Sequence, residues 1–317
     1  MSSATIFHSR DKLTPYEYPA CYEAWEKSVQ SPWFHGEVDM TADIQDWASL
    51  DETDRQIIAG ILRGFTIIEQ RIGCYWRDTV AAKFHKPEIQ AMAVVFSAQE
   101  TVHAYAYNHL ESSLGLDTYE AFLQDDTAQA KLALYEQSNN LSVSLASFSG
   151  GGEAISLFGS FAILLSYCKT GKLKGLKQIL SWSVRDEQQH SDMGCYLYSQ
   201  LPEHMQIPGP FIANILLESI EAELAFIANA NLPEAQVSAI ELFLHKRATN
   251  VMQKLGYKPS KDYFMAGYDT IGEWFYPLVQ TSTLHDFFTS PKNGSAYAGK
   301  LKQNFQSIDY TSFSSMG

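Results

Sequence analysis

Apolar residues recur at helical spacing along most of this chain, and no alternating strand pattern runs far. The periodicity begins near Tyr16 and runs to Val29, where Ser31-Pro32 breaks it. Ser49-Leu50-Asp51-Glu52 reads as a helix start, with acidic residues favouring the first turn. It predicts a long helix to about Thr79, with Ile57, Ile58, Ile61, Leu62, Phe65, Ile68 and Cys74 on its apolar side. Lys86-Pro87-Glu88 opens another, to about Leu114; a short helix follows from about Thr118 and a longer one from about Thr127 to Leu145. At Gly150-Gly151-Gly152 a helix either starts or is distorted, because glycine permits bends that other residues resist. The apolar run Ala154 to Cys168 ends at Gly171, and a core helix spans Leu173 to about Leu201. Two more patterns cover Phe211 to Ala230 and Glu234 to Leu255; Glu218, Glu221 and Glu223 read there as a solvated acidic face. Residues 1 to about 14 read as a loose leader, and those from about Ser290 as a flexible tail. The expectation is an all-α chain: a helical domain over 1–289 and a tail over 290–317.

Composition narrows the function. The 317 residues are 45% hydrophobic and 19% charged, with a formal net charge of -13. No basic stripe is visible, so no nucleic-acid partner is expected. Cys21, Cys74, Cys168 and Cys195 lack metal-ligand or disulfide spacing, which fits a reducing compartment. Met1-Ser2-Ser3-Ala4 does not open a secretory signal, and the longest apolar stretch, Ile155 to Tyr167, is too short to span a bilayer. A cytoplasmic protein without membrane attachment is expected.

The chemistry lies in polar residues set on apolar helices. Glu100 and His103 share one helix face, and Tyr107 sits one turn further along it; Tyr105 points off that face. Glu187-Gln188-Gln189-His190 is a second Glu-x-x-His, and there is no third. Glu69 lies among apolar residues 31 positions before Glu100, and Glu153 lies 34 before Glu187. Each half of the chain thus reads carboxylate, helix turn, Glu-x-x-His. Two such helix pairs packed antiparallel bring four carboxylates and two histidines into one bundle core, the ligand set of di-metal carboxylate bundles. Iron and manganese suit those donors. Left without metal, the same core would bury several unpaired charges, which is costly.

The stretches Ile67-Ile68-Glu69, Phe96-Ser97-Ala98-Gln99-Glu100-Thr101-Val102-His103, Glu153 and Val184-Arg185-Asp186-Glu187-Gln188-Gln189-His190 resemble the small, radical-generating subunit of class I ribonucleotide reductase. The resemblance implies a ferritin-like bundle in which Glu69, Glu100 and His103 hold one metal and Glu153, Glu187 and His190 the other. It makes Tyr107 the radical tyrosine and Trp33 an electron relay linked through Asp186 to His103. It implies a homodimer, dioxygen or superoxide as oxidant, and reduction of ribonucleoside di- or triphosphates on a separate large subunit. That partner docks on the C-terminal tail, where Tyr297, rather than Tyr310, matches the relay position. Many members carry Asp where this chain has Glu69; the all-Glu set tilts the comparison towards a manganese-containing centre over an iron-only one. It also leaves open whether Tyr107 or the metals store the oxidising equivalent. A ligand-binding oxidase of the same fold and a ferritin-like metal store are the rival readings.

Overall fold

The computed structural model describes residues 6–288 apart from 63, 117–123 and 136–137. The helix expected from Thr118, and the tail with Tyr297 and Tyr310, lie outside the described residues. The described chain forms helices α1 (Pro19–Gln30), α2 (Thr41–Ser49), α3 (Glu52–Leu62), α4 (Phe65–Tyr75), α5 (Pro87–Ser113), α6 (Asp126–Ala133), α7 (Leu141–Thr170), α8 (Lys174–Ser199), α9 (Gly209–Ala228), α10 (Glu234–Lys254) and α11 (Gly272–Phe288), with no strand among the described residues.

Several boundaries differ from the sequence reading, each for a local reason. The helix expected from about Asp51 to Thr79 is divided at Gly64 into α3 and α4, and its last turns, Trp76–Val80, widen to π geometry. The helix expected over Thr127 to Leu145 is two. Asp125 accepts the N–H groups of Thr127 and Ala128 at the start of α6, and Asn140 accepts those of Ser142 and Val143 at the start of α7. Such caps satisfy donors that a helix start leaves unpaired. Helices α2 and α11 went unread. The described part of the leader, from Ile6 on, is not loose either: Ile6 is buried, and Arg10 pairs with the buried Glu88, which also accepts the backbone N–H groups of Glu17 and Tyr18.

Helices α4, α5, α7 and α8 build the centre. The Ser97 hydroxyl donates to the Gly73 carbonyl at 2.9 Å and Thr66 reaches Glu111 at 3.4 Å, so α4 and α5 run antiparallel in close contact. At Gly73 an added Cβ would lie 3.2 Å from that of Glu100, which lets the two helices approach where the ligand-type residues sit. Three residues separate α7 from α8, enforcing a second antiparallel pair. Asp43 of α2 accepts the N–H groups of Gly175 and Leu176 at 2.9 and 2.8 Å, capping the start of α8 from a distant part of the chain.

The glycine triplet distorts a helix rather than starting one. Residues Ala146–Ser156 of α7 are π-helical, and a Cβ on Gly152 would meet the Tyr135 ring at 2.7 Å. As a whole α7 is 30 residues long and apolar enough to cross a membrane, unlike the shorter run read from sequence; its most apolar window is completely buried in the bundle, as befits a core helix. Regular turns resume at Phe158, and the Ser160 N–H donates to Glu223 of α9 at 2.6 Å. Glu223 therefore does not belong to a solvated face. It is fully buried and also accepts from the Ser160 hydroxyl and from Lys131 Nζ of α6, at 2.8 and 2.5 Å. Glu218 and Glu221 are exposed, as read.

Removing one partner of a buried ion pair strands the other. Lys131→Ala is expected to lower the unfolding free energy by about 3–5 kcal/mol, measured by urea denaturation. Lys131→Met combined with Glu223→Leu should lose less. A Lys131→Ala variant as stable as the parent would show that Glu223 finds other support.

Candidate metal centre

Glu69 on α4, Glu100 and His103 on α5, Glu153 in the π segment of α7, and Glu187 and His190 on α8 converge, and all six are completely buried. Their donor atoms form two overlapping groups, each with its atoms within 4.8 Å of one another: Glu69, Glu100, His103 and Glu187, and Glu100, Glu153, Glu187 and His190. Glu100 and Glu187 belong to both groups, so each faces both halves. His103 Nδ1 lies 2.8 Å from Glu187 and 3.1 Å from Glu100, and His190 Nδ1 lies 2.5 Å from Glu100.

The outer nitrogens reveal an approximate two-fold relation. His103 Nε2 is 3.3 Å from Asp186, the residue before Glu187; His190 Nε2 is 3.1 Å from Gln99, the residue before Glu100. Each Glu-x-x-His thus carries, one position ahead of its Glu, the polar group that orients the other motif's imidazole. Carbonyl and carboxylate partners of this kind fix which ring nitrogen is free to bind metal. Gln99 was not singled out from the sequence. The signal was available in the parallel Gln99-Glu100 and Asp186-Glu187. Trp76 was also missed: its indole donates to Glu153 Oε1 at 2.6 Å, from a position that helical periodicity marks only as core.

The donor set fits a pair of cations. Both oxygens of Glu69 and Oε2 of Glu153 are buried without an aligned hydrogen bond, and Glu187 and Glu100 have only the close imidazoles of His103 and His190 beside them, a heavy penalty unless something positive binds the carboxylates. Burial, then repulsion from neighbouring carboxylates, raises the pKa of Glu69, Glu153 and Glu187. Burial alone would raise Glu100 too, but the His190 and His103 imidazoles outweigh it and hold it well below the usual range. His103 is raised well above an ordinary histidine: burial opposes its charge, and Glu100 with its neighbours overcomes that. Asp186 is brought down to about 2, burial notwithstanding, by Arg185 and then His103.

The remaining sequence candidates divide in two. Tyr107 is completely buried against Phe65, ring centroids 4.8 Å apart, and its hydroxyl has no hydrogen-bond partner. Burial, then the charge of Glu69, keeps its phenol protonated. Trp33 is buried, donates to Asp186 Oδ2 at 2.7 Å and stacks on His103 at 5.5 Å. Trp33, Asp186 and His103 therefore form one unbroken chain. Tyr105 points outward, 62% exposed. Tyr297 lies outside the described residues.

Residues 10–260 match the family described as ribonucleotide reductase, small chain. The chain belongs to that family. Among relatives, it is 27% identical over 282 residues to the probable ribonucleoside-diphosphate reductase small subunit 376L of invertebrate iridescent virus 6, covering 82% of this chain and 78% of that protein. It is 30% identical over 221 residues to small subunit 048L of invertebrate iridescent virus 3, covering 62% of this chain and 58% of that protein. Among solved structures, the ribonucleotide reductase Rnr4 homodimer of Saccharomyces cerevisiae superposes with TM-score 0.74 at 17% identity over 88% of this chain and 92% of that one. The dimanganese(II)-NrdF of Streptococcus sanguinis gives 0.72 at 18% over 87% and 99%. The fold of this small-chain family member is thus the all-α, ferritin-like bundle expected, and its buried cluster fits a di-metal carboxylate site.

Because Glu69, Glu153 and Glu187 hold protons above the ordinary 4.5, their contribution to metal-free stability is complete below 4.5. It is lost as pH rises through their folded values. A cation must displace those protons, so uptake should release protons and affinity should climb as pH rises above 4.5. Calorimetry in buffers of different ionisation enthalpy measures this; pH-independent affinity without proton release would contradict it.

Proposed function

We propose that this chain is the radical-generating small subunit of a class I ribonucleotide reductase and works as a homodimer in the cytoplasm with a separate large subunit. The observation that carries the reading is the continuity of the cluster with Trp33: a buried six-ligand centre and a hydrogen-bonded indole share His103 through Asp186. A metal store has no use for such a chain. A groove of about 520 Å³ reaches Glu69, and Gln70, Arg77, Ser97 and Asn108 are among the residues that line it. That groove is a route by which a small oxidant, dioxygen or superoxide, reaches the cluster.

Two redox-active ions held by Glu69, Glu100, His103, Glu153, Glu187 and His190 would supply the oxidising power that side chains lack; the all-Glu set favours manganese. The protein's own residues handle protons and position. Tyr107, buried one helical turn beyond His103, would hold the oxidising equivalent as a neutral phenoxyl, giving up one electron and its hydroxyl proton to the oxidised centre. Asp186 Oδ2 accepts from Trp33 and faces His103 Nε2, so one carboxylate oxygen couples the indole to the centre. Beyond Thr289 the tail docks on the large subunit, with Tyr297 relaying the radical during reduction of ribonucleoside diphosphates or triphosphates.

Reconstitution with manganese, iron or both, followed by oxidant, paramagnetic resonance and a deoxynucleotide assay with a matching large subunit, tests this reading. Manganese-containing protein should be active, and full activity with iron alone would overturn the metal assignment. Tyr107→Phe should keep its metal yet lose the tyrosyl signal and turnover; retained turnover would move storage to the metals. Truncation after Thr289 should spare metal uptake and abolish turnover. Tyr297→Phe should dock without turning over, and a fully active variant would remove Tyr297 from the relay. No product from any form with a competent partner would refute the assignment.

A further inference from the structure

Two π-helical stretches meet at one hydrogen bond. Trp76 opens the stretch Trp76–Val80 that continues α4, and Glu153 lies within Ala146–Ser156 of α7. Each π turn shifts the register of its helix, and together the two stretches bring the Trp76 indole N–H to Glu153 Oε1. Trp76 is completely buried and boxed in by aromatic rings. Phe96 stands edge-on at 4.9 Å, Tyr75 at 5.6 Å and His190 at 6.0 Å. The indole has no room to turn away, so the hydrogen bond is imposed on Glu153.

Glu153 is thereby unlike the other three carboxylates. Among the described residues, the ion-pair and hydrogen-bond contacts of Glu69, Glu100 and Glu187 are with imidazoles of the ligand set, whereas Glu153 receives a neutral N–H from outside it. Its Oε1 is occupied by the indole N–H and Ser149 bears on the same carboxylate, whereas Glu69 has only the His103 imidazole, 3.7 Å from its Oε2. The two halves of the cluster therefore offer different numbers of open oxygen atoms.

We propose that Trp76 is a positioning residue for the half of the centre formed by Glu100, Glu153, Glu187 and His190. By holding Oε1 it presents Oε2 as the ligand atom of Glu153 and makes the two metal subsites inequivalent. The inference rests on the di-metal reading. Loss of the indole N–H should weaken cation binding in this half alone, by roughly the 10–100-fold typical of partners that orient metal ligands.

The test is a manganese(II) titration of the full-length, metal-free chain, with the free ion counted by paramagnetic resonance. His190→Ala identifies which binding step belongs to this half. Trp76 is then replaced by Phe and, separately, by 3-benzothienylalanine, which keeps the bicyclic shape but carries sulfur in place of N–H. The second replacement carries the test if the first disturbs folding. The expected result is an unchanged step for the Glu69–His103 half and a step for the Glu153–His190 half weakened roughly 10–100-fold. An isotherm that overlays the parent's, or equal weakening of both steps, overturns the inference while leaving the di-metal reading intact. A parent chain that takes up fewer than two ions overturns the di-metal reading and the inference together.

Discussion

Four carboxylates buried in one bundle core repel one another, and the rest of this structure is arranged around that repulsion. Glu69, Glu100, Glu153 and Glu187 are all completely buried, and only two imidazoles lie among them. A low-dielectric interior makes such an arrangement untenable as a set of bare charges. The raised pKa of three of the four is the form this takes without a cation. Two bound cations would remove the conflict and turn a liability of folding into the affinity of the site.

Around the cluster, a layer of fixed groups settles its geometry. Asp186 and Gln99 orient the two histidines by the same device, but one is an anion and the other a neutral amide. The half facing Trp33 thus has a charged partner behind its imidazole, and Asp186 passes that connection on to the indole. The other half is tied to Trp76 through Glu153. The π segment that carries Glu153 is held in turn by Tyr135 against Ser156 and by the Lys131–Glu223 pair at Ser160. The approximate two-fold relation of the motifs is broken by these outer partners, giving a centre with two different sides.

Much of this was legible in the sequence because ligand chemistry and helix geometry constrain it together. The doubled Glu-x-x-His and its upstream carboxylates named six residues that the fold brings together. Trp33 and Asp186 came only with the family resemblance, and the structure joins them by a hydrogen bond. The sharing of Glu100 and Glu187 between both halves was not legible, since spacing along a helix does not say which way a carboxylate faces across the bundle. Trp76 was hidden because a buried indole at core spacing looks like packing until its N–H finds an acceptor. Glu223 was misread as solvated, since only the tertiary contact with Lys131 and Ser160 explains a carboxylate buried on an otherwise amphipathic helix. The π stretch of α7 lies over the closely packed glycine triplet, where the sequence permitted either a start or a distortion.

The central claim is that Glu100 and Glu187 belong to both halves of one centre, so that two bound ions share ligands. Low-temperature paramagnetic resonance of the chain loaded with two equivalents of manganese(II) tests it most directly. The account predicts that the six-line spectrum of isolated ions is replaced by the spectrum of a magnetically coupled pair, and that Glu187→Ala abolishes the coupling. Two equivalents bound tightly with an uncoupled six-line spectrum would contradict it.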